Sequence, residues 1–503
     1  MNLMMLLEMA ASGFPERVAF KNEDDTLTYG QLFNAAGAAA EAAKRSGAGR
    51  IAFLDVSSLA VPVALFASAW SGLPFVPLNY RLTGGELDDL LDEISPCYLI
   101  TDEQRAAGLS RPRDTVVVRE EFLAAARGGS PPDPAWSMDG DDIAILLFTS
   151  GTTGKPKAAV LRQKHLVSYI FGSVEFGGAA EEDAALVSVP PYHIAGMAAI
   201  ISSVYSGRRV VQMANFSAEG WTELAGGEKI TNAFVVPTML ARIVEALEAG
   251  QTADLSSLRS LSYGGGKMPQ TVIEKAMGMF ATTDFTNAYG LTETSSTITL
   301  LGPDDHREAV SSDDPAIRRR IVSVGRPLPG VEIAIRDEDG KALGPGQAGE
   351  IYVRGEQVSG EYLGRGSNLD SDGWFPTRDG GHLDEGGYLF IEGRIDDVIV
   401  RGGENLSPGE IEDVLLEHEA VADCAVVGVP DEQWGEAVAA VIVTRQGCSI
   451  SPDEVREWVK GQLRSSRAPT RVEFCDELPY NETGKLLRRK VKAGLIEGAE
   501  GSP

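Results

Sequence analysis

The sequence predicts an α/β protein with a large N-terminal domain of parallel α/β sheets, a small β-barrel-like subdomain and a small C-terminal α+β domain. Three observations predict this fold. From Thr26 to about Leu300, Ala-rich helical stretches alternate with short β-branched runs, which is typical of parallel α/β units. Between Val324 and Arg394, short strands are separated by Gly, Asp and Pro turns, which is typical of an antiparallel or barrel-like unit. After Arg394 the pattern of helices and strands restarts and continues to residue 503.

These changes of pattern also predict the domain boundaries. We expect a large domain over residues 1–394, with α/β subdomains to about residue 320 and the barrel-like subdomain over about 321–394. A C-terminal domain is expected over residues 395–503. A chain of 503 residues is long enough for about three domains at one domain per roughly 150 residues.

Apolar segments identify the elements of the N-terminal part. Met1 to Ala11 is apolar but has no basic region and carries Glu8, so it predicts an amphipathic helix rather than a secretory signal. The uncharged stretch from Val56 to Tyr80 is long enough to cross a bilayer, but its prolines and glycine favour a buried helix (Ala60–Trp70) and a buried strand (Phe75–Leu78). Further strands are predicted at Ile51–Leu54, Ile143–Phe148, Leu186–Val189 and Ala233–Val236.

The later elements follow from the same patterns. Strands of the barrel-like subdomain are predicted at Val331–Arg336, Gly349–Arg354 and Tyr388–Glu392. The C-terminal domain is predicted to contain helices at Pro408–Glu417 and Pro452–Leu463, strands at Ala422–Val429, Ala437–Val443 and Val472–Cys475, and a basic helical tail after Gly484.

Composition and charge exclude several classes of protein. A hydrophobic content of 43% is too high for a disordered chain. A net charge of -28 argues against nucleic acid as a partner, because that binding requires clustered Lys and Arg. The 4 cysteines are too few and too scattered for a disulfide framework or a zinc site, which favours a reducing compartment and a cytoplasmic location.

The segment Ile143 to Lys157, IAILLFTSGTTGKPK, has the composition of a phosphate-binding loop after a buried strand. Its glycines allow backbone N–H groups to approach an anion, and Lys155 or Lys157 adds positive charge. It is not a Walker loop, because Gly151 and Gly154 are too close together. Hydroxyl donors are supplied by Thr149, Ser150, Thr152 and Thr153.

Two further segments carry polar groups and glycines. In the segment Asn287 to Thr294, Glu293 could bind Mg²⁺, since magnesium bound with a nucleotide needs only one or two protein carboxylates. Taken alone, Glu293 could equally be a solvated loop acid. The three glycines in Ser262 to Pro269 allow a flat base to lie against the backbone, although a tight turn would explain them too.

Six motifs in order make a family resemblance specific. They are TSGTTGKPK at 149–157, PPYHIAG at 190–196, YGLTET at 289–294, GWFPTRD at 373–379, GRIDDVIVRGGENLSPGEIE at 393–412 and NETGKLLRR at 481–489. The chain resembles the adenylate-forming superfamily of acyl- and aryl-CoA ligases, peptide-synthetase adenylation domains and beetle luciferase. The resemblance covers the chain nearly from end to end.

The resemblance implies a first step in which a carboxylate attacks the α-phosphate of ATP and gives acyl-AMP and pyrophosphate. Residues 149–157 would hold the β- and γ-phosphates, Glu293 with Thr149 would bind magnesium, and Tyr289 would stack on adenine. Lys485 would reach the α-phosphate and the substrate carboxylate. The implied catalytic residues are Lys485, Glu293, Thr149 and His193. The implied ATP- and AMP-binding residues are Thr149, Ser150, Gly151, Thr152, Thr153, Gly154, Lys155, Lys157, Gly264, Gly265, Gly266, Asn287, Ala288, Tyr289, Gly290, Thr292, Asp379, Arg394 and Lys485, of which Asp379 and Arg394 would hold the ribose.

The resemblance also implies a second step, in which a thiol attacks acyl-AMP after the mobile C-terminal lid domain has rotated. Asp396 matches the hinge position, and Gly402 and Gly403 match glycines that line the pantetheine tunnel. Glycine suits a tunnel because a Cβ would narrow it. Arg378 stands where the family usually has glycine, which leaves the local loop conformation and an added contact to phosphate or ribose open.

The implied acyl pocket is apolar. His193 matches an aromatic position that gates the pocket, and a role in proton transfer is an alternative to simple packing. Amino-acid-activating relatives carry an aspartate where this chain has Ile194, so we expect a hydrophobic acyl or aryl group rather than an amino acid. The implied acyl-binding residues are His193, Ile194, Ala195, Gly196, Met197, Phe234 and Val236.

The expected enzyme is therefore an acid–thiol ligase that forms acyl-AMP from a hydrophobic carboxylic acid and transfers the acyl group to CoA, in fatty acid metabolism. ATP, Mg²⁺ and coenzyme A are the expected cofactors and substrates, and neither nucleic acid nor the membrane interior is an expected partner. One alternative is an adenylation enzyme that loads the phosphopantetheine of a carrier protein; another is a catalytically degenerate nucleotide-binding protein. The identity of the acid and homodimer formation are left open.

Overall fold

A computed structural model describes residues 1–82, 84–149, 156–402, 404–431, 433–480 and 486–500. The chain divides into two compact units. The first contains Met1–Glu332 and Val353–Phe375, and the second contains Ile333–Tyr352 and Pro376–Pro503. The second unit thus groups part of the expected barrel-like subdomain with the C-terminal elements. The expected boundary between residues 394 and 395 stays a prediction.

The helices of the described residues are numbered in chain order. They are α1 (Leu3–Gly13), α2 (Tyr29–Arg45), α3 (Ala60–Ser71), α4 (Gly85–Ile94), α5 (Glu103–Gly108), α6 (Arg119–Gly128), α7 (Gln163–Ser173), α8 (Ile194–Ser206), α9 (Ala218–Gly227), α10 (Pro237–Glu248), α11 (Gln270–Met279), α12 (Pro303–Ser311), α13 (Pro315–Arg319), α14 (Pro408–Leu416), α15 (Pro452–Gln462) and α16 (Arg488–Glu500).

The strands are numbered in the same way. They are β1 (Val18–Asn22), β2 (Asp25–Thr28), β3 (Ile51–Leu54), β4 (Phe75–Pro77), β5 (Tyr98–Thr101), β6 (Thr115–Val118), β7 (Ile143–Thr149), β8 (Lys157–Arg162), β9 (Ala184–Val187), β10 (Arg209–Gln212), β11 (Asn232–Val235), β12 (Ser260–Gly264), β13 (Asp284–Leu291), β14 (Ser296–Leu301), β15 (Arg326–Pro327), β16 (Glu332–Arg336), β17 (Gly349–Arg354), β18 (Glu361–Tyr362), β19 (Gly366–Ser367), β20 (Phe375–Leu383), β21 (Leu389–Arg394), β22 (Ile399–Arg401), β23 (Glu404–Leu406), β24 (Val421–Asp431), β25 (Gly435–Thr444) and β26 (Arg471–Phe474).

Two mixed sheets organise the described part of the first unit. One has the order β15-β14-β13-β12-β11-β9-β10-β1-β2, and the other has the order β19-β18-β8-β7-β4-β3-β5-β6. The central strands of both sheets are parallel, and their antiparallel strands lie toward the edges. Strands such as β3 are buried along their whole length, because helices cover both faces of a parallel sheet. The α/β prediction is therefore confirmed.

The uncharged stretch that could have crossed a bilayer is a buried helix followed by a buried strand. Every residue of α3 from Ala60 to Trp70 is buried, and β4 starts at Phe75, as predicted. The helices of the described chain include none that combines the length and apolar character needed to span a membrane. The N-terminal segment is helix α1, whose cap residue Asn2 accepts a hydrogen bond from the backbone N–H of Met4.

The second unit holds two further sheets among its described residues. The short strands β16, β17, β20 and β21 form one sheet in that order. β24 and β25 form a long antiparallel hairpin whose alternate residues face opposite sides. Val426 lies on the side packed against α14 and α15, while Ala425 lies on the side packed against α16. This arrangement is the predicted small α+β unit.

One strand is displaced from its predicted position. The sequence predicts a strand over Leu186–Val189, but β9 spans Ala184–Val187. The ladder ends where the backbone N–H of Met213 donates to the Val187 carbonyl, and Pro190 and Pro191 follow. Proline has no N–H to donate, so the chain leaves the sheet and turns toward α8.

Candidate active site

The strands β11, β12 and β13 are neighbours in the nine-stranded sheet, and their carboxyl ends lie at the same edge of that sheet. Tyr263 pairs with Asn287, and Gly264 pairs with Ala288, in parallel register. Val236 directly follows β11, and its Cγ1 would lie 3.7 Å from a Cβ added to Gly265. In open α/β sheets, ligands bind outside the carboxyl ends of the strands. Several residues of the expected nucleotide and acyl sites therefore lie along one edge.

The structure explains the presence of glycine differently at each of the three successive positions 264–266. A Cβ on Gly264 would lie 2.1 Å from the carbonyl oxygen of Ala288, so only glycine allows β12 and β13 to approach this closely. Gly265 has a φ of 81°, in the left-handed region that glycine favours. A Cβ on Gly266 would make an ordinary contact at 3.6 Å with Pro237.

Asn287 is held by the protein itself. Its side chain is buried, and its Nδ2 donates a hydrogen bond to the carbonyl of Ser323 at 3.0 Å. The amide thus ties β13 to the segment that precedes β15. A direct contact of Asn287 with a nucleotide stays a prediction.

Glu293 lies in a short 3-10 turn, Thr292–Thr294, directly after β13. The next two residues, Ser295 and Ser296, have φ angles of 57° and 107°, which are unusual for residues with a side chain. Backbone strain of this kind costs about 1–3 kcal/mol per residue and persists only where the surroundings hold it. The side chain of Thr294 supports the turn through hydrogen bonds to the Leu291 and Ser296 backbone.

Tyr362 connects Glu293 to the strands that flank the expected phosphate loop. Its hydroxyl donates a hydrogen bond to the Glu293 carboxylate, and the ammonium of Lys157 lies 5.9 Å from its ring centroid. Lys157 pairs with Thr149 across β7 and β8. The carbonyl of Glu293 also accepts hydrogen bonds from the backbone of residues 359 and 360. Glu293, which is remote in sequence, is thereby brought into one cluster with Lys157 and its strand partner Thr149.

Sequence reasoning did not identify Tyr362. It lies in a two-residue strand, Glu361–Tyr362, which has no periodicity that could be recognised. Its position depends on pairing with Ala159 of β8, which is remote in sequence. Only the tertiary pairing shows its role.

Several predicted site residues lie outside the described residues. They are Ser150, Gly151, Thr152, Thr153, Gly154, Lys155, Gly403 and Lys485. The strands on either side of the first group are described, because β7 ends at Thr149 and β8 begins at Lys157. The roles of all eight residues stay predictions.

In the second unit, the two residues expected to hold the ribose are paired with each other. Nη1 of Arg394 lies 3.0 Å from Oδ1 of Asp379, and it also donates to the carbonyl of Thr377 at 3.2 Å. Asp379 and Arg394 are direct partners in the β20–β21 ladder. An ion pair fixed in this way positions both side chains before a ligand arrives.

Arg378 occupies the conformation that a glycine would adopt. Its φ is 63°, and its backbone N–H donates to the Glu350 carboxylate at 3.2 Å. Its guanidinium donates to Asp396 at 2.7 Å. The local conformation that the sequence left open is therefore left-handed, and the added contact is to the expected hinge residue.

Gly402 is constrained by a tryptophan. Its φ is 58°, its N–H donates to the carbonyl of Trp434, and an added Cβ would lie 2.7 Å from the indole ring. Glycine is thus required here by the described fold itself. Whether Gly402 also borders a thiol channel stays a prediction.

The described residues that flank positions 481–485 make strong polar contacts. Before these positions, the hydroxyl of Tyr480 donates to the two carboxylate oxygens of Asp423 at 3.0 and 2.9 Å. After them, Arg488 forms a two-pronged ion pair with the Glu412 carboxylate. Tyr480 and Leu486, the described residues on either side, form an antiparallel β-bridge with each other.

The expected acyl-binding residues lie on α8 and β11. His193 caps the start of α8; Ile194, Ala195 and Phe234 are half-buried, and Val236 is buried. Gly196 and Met197 are buried beneath them, so Met197 contributes to the protein core. None of the seven residues carries a carboxylate or an ammonium group.

His193 is electrically neutral near pH 7. Burial, with a smaller effect from the charge of Arg81, lowers the pKa of His193 to about 4. Its Nε2 is buried and has no hydrogen-bond partner among the residues the structure describes. Its ring lies 4.6 Å from that of Tyr192. A neutral ring suits an apolar pocket wall, and an unpartnered nitrogen is available to a polar atom of a ligand.

Comparisons with known proteins identify the family. The sequence matches AMP-binding enzyme over residues 7–363 and AMP-binding enzyme C-terminal domain over residues 410–485. The chain belongs to this family, the adenylate-forming superfamily. It is an enzyme of the AMP-forming acyl-CoA synthetase type.

Individual relatives are similar over nearly the whole chain. A fatty acid–[acyl-carrier-protein] ligase, ScoC of Streptomyces coeruleorubidus, is 34% identical, with 95% of this chain and 93% of the relative covered. The indoleacetate–CoA ligase of Aromatoleum aromaticum is 32% identical, with 95% of each chain covered. The o-succinylbenzoate CoA synthetase of Bacillus subtilis, solved with an acyl-adenylate, is 31% identical, with a TM-score of 0.82 and 97% of each chain covered.

The glycines at 264 and 266 give a matched test of the site edge. Gly264→Ala should lower the free energy of unfolding by at least about 2 kcal/mol, because the methyl group would overlap the Ala288 carbonyl. Gly266→Ala should change it by less than about 0.5 kcal/mol, because its methyl group meets only an ordinary contact. Urea unfolding of both variants measures the difference, and equal stabilities would contradict the close approach of β12 and β13.

The low pKa of His193 predicts a specific pH dependence. The Cε1–H proton resonance of His193, assigned by its loss in His193→Phe, should titrate near pH 4. The unfolded chain binds this proton near pH 6.5, so His193 lowers stability as the pH falls from 6.5 toward 4. This loss amounts to about 2 kcal/mol between pH 7.5 and pH 5. A midpoint above pH 6 would show that the ring is solvated.

Proposed function

We propose that the enzyme activates a hydrophobic carboxylic acid with ATP and Mg²⁺ to form acyl-AMP, and then transfers the acyl group to the thiol of CoA. The observation that carries this proposal is the cluster of Thr149, Lys157, Tyr362 and Glu293 beside the carboxyl edge of the sheet. It combines a cation, a carboxylate and a hydroxyl, which is the set that a magnesium-bound triphosphate needs. Relatives named as CoA ligases support the thiol acceptor.

The first step joins two anions, so charge neutralisation is its main requirement. The substrate carboxylate attacks the α-phosphorus, a new P–O bond forms, and the bond to the β-phosphate oxygen breaks and releases pyrophosphate. Lys157 and the residues 150–155 would balance the charge of the phosphates, since electrostatic stabilisation dominates phosphoryl-type transfer. Lys485 would bring its ammonium to the α-phosphate and the attacking carboxylate.

The donor set at Glu293 fits magnesium. Glu293 offers a carboxylate and Thr149 a hydroxyl, and hard oxygen donors of this kind suit Mg²⁺. The described residues contain no group of three His, Cys, Asp or Glu side chains that could hold a metal by themselves. Phosphate oxygens and water would therefore complete the shell. Magnesium would supply positive charge that makes pyrophosphate a better leaving group, while Tyr362 keeps the carboxylate oriented.

The family resemblance assigns the contacts to the nucleoside. Tyr289 would stack on adenine above the glycines 264–266, and the Asp379–Arg394 pair would bind the ribose hydroxyls. Rotation of residues 395–503 about Asp396 would then remove Lys485 from the site. It would bring Gly402 and Gly403 to the site instead, where they would border a channel for the thiol. The CoA sulfur, having released its proton to solvent, would attack the carbonyl carbon of acyl-AMP as a thiolate. A C–S bond would form, the C–O bond to AMP would break, and AMP would leave with the electrons of that bond.

A carrier protein is the second candidate acceptor. The observation that favours it is the 34% identity to a ligase whose name gives a fatty acid and an acyl-carrier protein. Both acceptors present the same phosphopantetheine thiol, so the same residues would serve. Parallel assays with CoA and with a holo carrier protein distinguish them by the thioester formed. A cytoplasmic location and a role in fatty acid metabolism belong to the same proposal, and a homodimer stays an open prediction.

Two substitutions should affect the two half-reactions in opposite ways. Lys485→Ala should abolish acyl-AMP formation and leave acyl transfer from supplied acyl-AMP largely intact, because Lys485 would face the site only in the first arrangement. Gly403→Leu should spare acyl-AMP formation and block thioester formation, because the side chain would fill the thiol channel. Pyrophosphate exchange and thioester synthesis, measured separately for each variant, test this. Equal losses in both half-reactions would overturn the assigned roles.

The apolar pocket predicts the class of acid. An α-ammonium buried among Ile194, Phe234 and Val236 would be unpaired and would cost several kcal/mol. A simple acid instead gains about 0.8 kcal/mol, or about fourfold in affinity, for each buried methylene. Release of pyrophosphate, measured as kcat/KM with straight-chain acids, aromatic acids and amino acids, should peak at one chain length or ring size.

Every amino acid should fall below the best simple acid by about a hundredfold or more, which corresponds to a few kcal/mol. Running the series with and without CoA separates acid activation from thiol transfer. An amino acid at the top of the series would exclude the proposed pocket. Absence of pyrophosphate release with every acid would favour a degenerate nucleotide-binding protein.

A further inference from the structure

Two neighbouring residues of β20 form ion pairs with the last residue of β21 and with the turn that follows it. Asp379 pairs with Arg394 at 3.0 Å, and Arg378 pairs with Asp396 at 2.7 Å. Arg394 ends β21, and Asp396 lies in the 3-10 turn Ile395–Asp397 that comes directly after it. The Arg378–Asp396 pair therefore connects this turn to β20, while the Asp379–Arg394 pair connects the end of β21 to β20 with the opposite polarity.

Arg378 has a backbone conformation that glycine adopts at lower cost. A φ of 63° carries a cost for arginine that glycine would not have. The backbone alone would therefore favour glycine at this position. What arginine adds is the guanidinium group that donates to Asp396. The side-chain contact is the feature that a glycine could not supply.

The next residue of the turn is bound from the other side. Asp397 lies 3.4 Å from Nε of Arg488, and Arg488 also pairs with Glu412 of α14. Consecutive aspartates are thus connected to different elements, Asp396 to β20 and Asp397 to α16. A backbone rotation in the turn would pull on both contacts, and the Arg378–Asp396 pair is the shorter of the two.

We propose that Arg378 is a positioning residue that holds the turn Ile395–Asp397 through Asp396 and so sets the balance between the two half-reactions. This inference rests on the proposed function, in which Asp396 is the hinge of the C-terminal domain. The side chains of Arg378 and Asp396 are 52% and 35% exposed. Exposed ion pairs are weak, so this one can be broken and re-formed in each catalytic cycle.

The first test measures the turn without catalysis. In the described structure the backbone N–H of Val398 donates to the carbonyl of Ile395. Hydrogen exchange of this amide in the ligand-free enzyme should become about two- to fivefold faster in Arg378→Gly, which loses an exposed ion pair. Arg378→Lys should restore exchange to within about twofold of wild type, because only a single N–H···O contact has to be replaced.

A matched control is available in Arg307, which is 56% exposed and pairs with Asp284 and Asp304 in the first unit. Arg307→Ala should leave exchange of the Val398 amide unchanged. This control separates loss of an exposed arginine in general from loss of the contact to Asp396. Unchanged exchange in Arg378→Gly, or equal changes in both variants, would overturn the proposal.

The second test measures the two half-reactions. The ratio of the rate of thioester formation from supplied acyl-AMP to the rate of acyl-AMP formation should shift by about two- to fivefold in Arg378→Gly, and return in Arg378→Lys. Faster exchange with an unchanged ratio would also overturn the positioning role. Failure of the proposed function has a different signature, since the wild-type enzyme would then release no pyrophosphate with any acid.

Discussion

The close backbone approach of β12, β13 and β14 is the constraint on which the described site depends. A Cβ added to Gly264 would lie 2.1 Å from the carbonyl oxygen of Ala288, and a Cβ added to Gly290 would lie 1.8 Å from that of Ser296. Both positions therefore require glycine. At Gly264 and Gly290, therefore, no side chain separates the backbones of neighbouring strands. This close approach also directs β13 into the strained turn that carries Glu293. Strain at this turn is tolerated because sheet pairing on both sides holds it.

The contacts of Glu293 show how the orientation of one carboxylate is fixed. A loop glutamate is ordinarily solvated and free to rotate, but Glu293 is bound through its side chain by Tyr362 and through its carbonyl by the backbone of residues 359 and 360. Orientation of this kind reduces the entropy that a ligand would otherwise have to remove. The segment that supplies these contacts is itself fixed by Arg162, which pairs with Glu361 at 2.7 Å.

Much of the fold could be predicted from the sequence because local patterns determine it. The buried helix at Ala60–Trp70 and the strand at Ile51–Leu54 follow from continuous apolar runs. The strand at Gly349–Arg354 follows from a pattern of short strands separated by Gly, Asp and Pro turns. Site residues were predicted where a motif carried them. Tyr362 was missed because its role arises only when β18 pairs with β8. The conformation of Arg378 was left open for the same reason, since a positive φ depends on contacts with Glu350 and Asp396.

Departures from a family pattern are informative when the structure shows what replaces the expected residue. A glycine before Asp379 would satisfy the left-handed backbone and contribute nothing else. Arginine accepts the same backbone at a cost and adds a charge that reaches Asp396, whereas the neighbouring Asp379 keeps its own partner, Arg394. Both ion pairs start from β20, and one reaches the end of β21 while the other reaches the turn that follows it. Arg378 is thus directly connected to Asp396, the proposed hinge residue. Under the proposed two-step reaction, a substitution at position 378 would therefore change the balance between the half-reactions without altering any proposed ligand contact.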